Sequence, residues 1–159
     1  MNVNVVCVGK LKERFWQEAC AEYAKRLSRF VTLQITELKE ERLPDKAGPA
    51  EESAVKEAEG RAILKALPED AFVVALDLKG KTMDSPALAV FLEDIQRQGR
   101  GRLVFVIGGS LGLSAAALDR ADLRLSFSDF TFPHQLMRVI LLEQLYRACK
   151  ISAGEKYHK

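Results

Sequence analysis

The groups able to do chemistry crowd into the last third of this chain. Residues 104–114 read VFVIGGSLGLS, an apolar run that empties into Gly108-Gly109-Ser110-Leu111-Gly112. Glycines at a strand end let the backbone approach a ligand, and the free amides of a helix start meet its polar groups. Residues 126–133, SFSDFTFP, set three phenylalanines among small polar side chains ahead of Pro133. Such a loop suits an adenine-like ring, held between apolar side chains and read at its edge by backbone groups. The tail ends in Tyr157, His158 and Lys159, a phenol, an imidazole and an ammonium. Two loops at strand ends and a reactive tail point to a ligand site. The plainer alternatives are a tight turn for the glycines, and core-filling roles for Phe127, Phe130 and Phe132 with Thr131 capping the following helix.

Other features narrow the field. The glycine run is not GxGxxG, sits on a late strand, and is not closed by Gly-Lys-Ser/Thr, so dinucleotide or ATP use is poorly supported. Cys7, Cys20 and Cys149 are odd in number and widely spaced, which fits a reducing cytosol and no metal site. No run approaches the roughly 20 apolar residues that span a bilayer. The opening MNVNVVCVGKLKERF reads as a first strand and not as a signal peptide, so the expected setting is cytoplasmic, away from any membrane. The net charge is +2, unevenly placed: residues 1–96 carry 14 basic and 17 acidic groups, residues 97–159 carry 10 and 5. That asymmetry is compatible with a polyanion docked at one end, and equally with a solvated surface.

The elements that must position these groups follow from hydrophobic spacing. The β-branched run NVNVVCV, stopped by Gly9, predicts a first strand. Phe15, Trp16, Ala19, Cys20, Tyr23, Leu27 and Phe30 recur at three and four, predicting a helix over about residues 13–29. Residues 31–38 alternate as a second strand, and the polar stretch 39–50 with Pro44, Gly48 and Pro49 reads as a loop. A second helix carries Ala54, Ala58, Ile63, Leu64 and Leu67 and ends near Pro68. Residues 72–76 form a third strand, apolar enough to be covered on both faces, and Asp77-Leu78-Lys79-Gly80-Lys81 turns the chain. Ser85-Pro86 opens a helix bearing Leu88, Phe91, Leu92 and Ile95. Strands over 103–107 and 123–127 follow, with a turn and short helix between them, and Pro133 opens a last helix to about Lys150.

Alternating strands and helices predict one α/β domain over residues 1–159, a mainly parallel sheet flanked by helices, with a short tail at 151–159. Ligands of such sheets bind beyond the carboxyl ends of the strands, here Leu76-Asp77, Ile107-Gly108 and Phe127-Ser128. The last helix has almost no wet face: Leu136, Met137, Val139, Ile140, Leu141, Leu142, Leu145, Tyr146 and Ala148 surround it, interrupted by Arg138, Glu143, Gln144 and Arg147. Burial against a second copy accounts for that composition, as would a central place within one chain.

GGSLGLS, LSFSDFTFPHQLMRVILLEQLYRA and the terminal GEKYHK strongly resemble the bacterial 23S rRNA pseudouridine N3-methyltransferases of the SPOUT superfamily. The opening VNVVCVGKLKE extends the similarity end to end. The resemblance implies a C-terminal trefoil knot, which ordinary connection rules nearly prohibit and periodicity does not suggest. It also implies an obligate homodimer. S-adenosylmethionine would lie bent in the knot, held by backbone from Leu76, from Gly108, and from Phe127, Ser128, Asp129, Phe130, Thr131 and Phe132. The implied substrate is a pseudouridine in the large-subunit hairpin loop that faces the small subunit, preferably on the assembled ribosome.

The implied chemistry needs few groups. Loss of the N3 proton makes that nitrogen nucleophilic, and positioning and stabilisation of the anion supply much of the rate. His158 is the candidate base, since imidazole titrates near neutrality. Tyr157 would stack on the base or orient it, and Lys159 or Arg138 would hold phosphate or favour the N3 anion. His134, in the last helix's first turn, reads as loop-bracing. Arg147 and Glu143 are four apart and suit a helix pair, although Arg147 would also reach RNA across a dimer. A tail serving the partner's pocket would make each site composite. The competing readings are a knotted methyltransferase acting on tRNA or another rRNA position, and a non-catalytic ribosome-binding factor.

Overall fold

The computed structural model describes every residue from Met1 to Lys159. Its elements run β1 (Asn2–Val8), α1 (Arg14–Leu27), β2 (Thr32–Leu38), α2 (Pro49–Ala66), β3 (Phe72–Thr82), α3 (Ser85–Arg97), β4 (Arg102–Ile107), α4 (Ala115–Arg120), β5 (Leu123–Ser126) and α5 (His134–Ser152). The strands form one sheet in the order β2-β1-β4-β3-β5, and every pairing is parallel. The α/β class read from the alternation of elements is the one observed.

Successive strand side chains face opposite sides, so each central strand feeds two cores. On one face Val3, Val5 and Cys7 of β1 and Leu103, Phe105 and Ile107 of β4 pack under α1, α3 and α5. On the other, Val6, Val8, Val104 and Val106 meet Ile63 of α2 and Ala117 of α4. Both faces are covered, which is why these strands read as near-continuous apolar runs. No helix is long and apolar enough to cross a membrane.

Helix α5 packs against both α1 and α3. Its buried side is Arg138, Leu141, Leu142, Leu145 and Ala148. Leu136, Ile140, Glu143 and Arg147 recur at four, three and four, stay half-buried, and belong to neither core. One chain therefore covers part of this helix and leaves a stripe of it outside.

Three local expectations need correction. The turn at residues 77–81 is a break of register inside one long strand, with Leu76 and Lys81 both opposite Leu125 of β5. Gly80 permits it: a Cβ there would sit 2.6 Å from the Arg124 carbonyl carbon, far inside contact distance. The fifth strand stops at Ser126 and not at Phe127. Thr131 is exposed and does not cap α5, which starts after Pro133 with no side-chain cap. Proline supplies a suitable φ at this boundary, so the helix begins without a hydroxyl acceptor. Helix α3 does have a side-chain cap: Asp84 accepts from the Ala87 amide at 2.8 Å, one residue ahead of the Ser85-Pro86 start.

Candidate active site

The three positions named from sequence as strand ends lie on β3, just beyond β4 and just beyond β5, which are consecutive in the sheet with β3 in the middle. Leu76 is itself inside β3, at the point where the pairing with β4 ends, and the strand runs on to Thr82. Parallel pairing brings Leu76, Gly108 and Phe127 to the same edge, the carboxyl edge where α/β sheets bind ligands. Gly108 has no room for a side chain: a Cβ would lie 2.8 Å from the Gly112 carbonyl carbon. The turn closes with the Gly112 amide donating to the Gly109 carbonyl at 3.1 Å, and Gly112 has φ +81°. A left-handed residue there is most readily glycine.

One residue behind this turn escaped the sequence reading. Glu59 of α2 is 4% exposed, and its carboxylate lies 3.1 Å from where a Cβ on Gly109 would be. It accepts the Glu41 amide at 3.1 Å, tying the segment after β2 to the glycine turn. Burial raises its pKa above the ordinary carboxylate range. In sequence Glu59 is one acid among several on a polar helix. Its only signal is the neighbouring Gly60, where a Cβ would run into Ser114, the N-cap of α4.

The loop after β5 is braced by its own hydroxyls. Ser126 Oγ donates to the Ser128 carbonyl at 3.2 Å, and the Phe130 amide donates to Ser128 Oγ at 3.0 Å. Phe127 packs against the α5-side core, whereas Phe130 is 77% exposed and Phe132 is half-buried outside both cores. The core-filling alternative thus holds for Phe127 alone. Asp129 and Thr131 are exposed beside Phe130.

Beneath that loop the start of α5 is anchored to β1 and β2. Arg138 is 2% exposed, donates from Nη1 to Glu37 at 2.7 Å and from Nη2 to the Gly9 carbonyl at 3.0 Å, and leaves Nε without a partner. Gly9 has φ +92°, and a Cβ on it would be 3.2 Å from the His134 ring. Burial lowers the His134 pKa below its usual range and pushes the Cys7 thiol up to about 11. Arg138 is thus committed to the interior, at the junction of three elements.

The tail folds back along α5. Tyr157 donates to Glu143 Oε1 at 3.2 Å, its ring meets Tyr146 edge-on at 4.9 Å, and the Arg147 guanidinium lies 4.7 Å from its centre. Arg147 also donates to Glu143 through Nε at 3.0 Å and Nη2 at 2.6 Å, the helix pair foreseen from spacing. Burial raises the Tyr157 pKa, and the neighbouring Glu143 carboxylate adds to the shift. Lys150 pairs with Glu155, and His158 and Lys159 are exposed. At 1.5 Å per residue, Glu143 stands about 14 Å along α5 from its start beside the loop. Leu76, Gly108 and Phe127 are gathered at one place, and Tyr157 with Glu143 and Arg147 at another.

The family described as "Predicted SPOUT methyltransferase" matches residues 1–158. Proteins named ribosomal RNA large subunit methyltransferase H are similar along the whole of both chains. That of Clostridium novyi (strain NT) is 54% identical over 159 residues, covering 100% of each chain. That of Clostridium acetobutylicum is 51% identical over the same length, as is that of Clostridium botulinum (strain Kyoto / Type A2), again with 100% of each chain covered. A family match over nearly every residue, on a parallel α/β sheet with a glycine turn at its carboxyl edge, shows that the chain belongs to the SPOUT methyltransferases.

Proposed function

We propose that this protein transfers a methyl group from S-adenosylmethionine to N3 of a pseudouridine in a 23S rRNA hairpin loop, preferring the assembled ribosome. The observation that carries this reading is the end-to-end match, at about half identity, to proteins named for methylation of large-subunit rRNA. In this reading the chain is a cytoplasmic homodimer whose C-terminal half forms a trefoil knot.

The residues present fit the cofactor. Gly108 keeps its strand end free of side chain, and the backbone at Leu76 on the adjacent β3 and at Phe127 just beyond β5, whose side chains pack against the α5-side core, offers the other sides of the cradle. Backbone of residues 127–132 completes the cradle, with Ser128, Asp129, Phe130, Thr131 and Phe132 beside the ligand. Bound S-adenosylmethionine supplies an electrophilic methyl on a sulfonium. The chain's part is to expel water, hold the base in line, and take the N3 proton. His158 takes that proton, being exposed and free of internal partners. Tyr157 anchors the tail to Glu143 and Arg147 and sets where His158 stands. Arg138 acts indirectly, by fixing the start of α5 and the loop before it. Because tail and cradle are separated along α5, the tail of one protomer serves the cradle of its partner. The half-buried stripe of Leu136 and Ile140 forms the contact between protomers.

The test is methyl transfer from labelled S-adenosylmethionine to ribosomes lacking the modification, with separated subunits and stripped rRNA in parallel, followed by nucleoside identification. N3-methylpseudouridine, formed mainly on whole ribosomes, is the expected result. Label on tRNA or on another base would replace the substrate. Absence of label together with absence of cofactor binding by a folded dimer would favour a non-catalytic ribosome-binding factor.

A further inference from the structure

A cleft of about 660 Å³ opens at the carboxyl ends of β1 and β2, and none of the cations lining it has a role above. Lys10 and Lys12 line it from the segment after β1, Lys39 and Arg42 from the segment after β2, and Ser110 of the glycine turn closes one side. Through Ser110 it adjoins the cofactor cradle, and through Gly9 it adjoins the start of α5.

Its lining gathers four cations from two segments of the chain. All four cations are exposed, and none takes part in an ion pair. The cleft also contains Glu40 and Glu41. The Glu40 carboxylate is drawn toward Gly9 and the His134 ring, and the Glu41 amide is tied down to Glu59. Four cations against two carboxylates leave a local excess of two. That equals the net charge of the whole protein and lies in a half that is otherwise acidic. A concave surface of one sign focuses the field on an incoming polyanion. Flexible lysines suit phosphate oxygens as point charges, without reading sequence.

We propose that this cleft is a phosphate track, in which Lys10, Lys12, Lys39 and Arg42 hold the rRNA backbone flanking the modified nucleotide. The proposal rests on the rRNA reading above and adds where the strand runs: from the cradle, past Ser110, along the ends of β1 and β2. It also accounts for the tie from Glu59 to the Glu41 amide, which fixes the segment bearing Lys39 and Arg42 against the glycine turn.

The experiment compares wild type with Lys39→Ala/Arg42→Ala and with Lys10→Ala/Lys12→Ala, all as full-length protein. Ribosome binding is followed by co-sedimentation across a salt series, cofactor binding by calorimetry, and methyl transfer by label. Each double variant should bind ribosomes roughly tenfold more weakly, with the log-affinity against log-salt slope reduced by about 1.5, the amount for two lost phosphate contacts. Cofactor affinity and kcat at saturating ribosome should hold while KM rises, and Lys39→Arg/Arg42→Lys should retain wild-type affinity. Unchanged ribosome affinity and salt slope in both folded double variants would overturn the track, whatever the transfer assay reads. Loss of cofactor binding in the same variants would overturn it too, by making the residues part of the cradle. Wild type that binds ribosomes through the track but labels no rRNA would leave the track standing and remove the enzymatic reading. Wild type that neither binds nor labels rRNA would remove both.

Discussion

His158 and His134 differ in their surroundings, and that difference sets what each can do. His158 is exposed at the end of a tail held by Tyr157, whereas His134 is packed against Gly9 at the start of α5. If His158 takes the N3 proton, His158→Ala should lower kcat by about 10²–10⁴ with cofactor affinity unchanged, as single-turnover transfer and calorimetry would measure. Retention of the wild-type rate would move the base elsewhere. For His134 the sign follows from burial, which lowers its folded pKa below the unfolded value of 6.5. Its stabilising contribution is present above about pH 6.5 and is lost as pH falls through the lowered folded value. Urea unfolding of wild type should therefore weaken below pH 6.5 relative to His134→Asn, and parallel curves for the two proteins would refute this. Tyr157, His158 and the glycine turn were legible as chemistry-bearing residues because glycine runs and terminal ionisable clusters are local signals. Glu59 was not, because only burial against Gly109 distinguishes it from the solvated acids around it.

At the scale of elements, the main result is how α5 is moored. Arg138 joins it to β2 through Glu37 and to β1 through the Gly9 carbonyl, across 101 and 129 residues of sequence. Arg138→Met removes the buried partner of a pair whose Glu37 is open to water, and should cost about 2 kcal/mol, the scale of a lost charged hydrogen bond. Denaturant unfolding measures this cost. A positioning role adds a second expectation: cofactor affinity in the surviving folded fraction should fall, because the loop before α5 loses its anchor. Spacing marked Arg138 as an interruption of an apolar helix, which a surface cation and a buried anchor would produce alike. Packing against β1 and β2 separates the two. The strand at 72–82 teaches the same lesson, since Asp77, Lys79 and Gly80 look like turn residues. The register break opposite Leu125 lets them stay in the sheet, a possibility that depends on β5 lying alongside.

For the whole molecule, the separation between the proposed cradle and the tail sets how many chains the proposed site needs. A site needing both within one chain would require the tail to leave Glu143, Tyr146 and Arg147, whereas a dimer brings a second tail. Mixing Gly108→Trp chains with His158→Ala chains should restore activity in one of the heterodimer's two sites. No recovery despite verified heterodimers would count against sharing. Ile140→Glu places a charge on the stripe that neither core covers, and should shift sedimentation from dimer to monomer and abolish transfer. A dimer that persists with full activity would put the interface elsewhere.

Local pattern alone determined the α/β class, nearly all the elements and the candidate loops, because side-chain period and glycine or proline punctuation are written along the chain. The long PHQLMR and EQLYRA stretch with its YHK end also carried the family, through residues that need not touch one another. Tertiary structure decided which strands are neighbours, and so that Leu76, Gly108 and Phe127 share an edge. It also decided that Arg138 is interior, that Glu59 backs the glycine turn, and that four unpaired cations face one cleft. Each depends on contacts between distant segments, whose energies exist only once the sheet has formed and its two faces are covered.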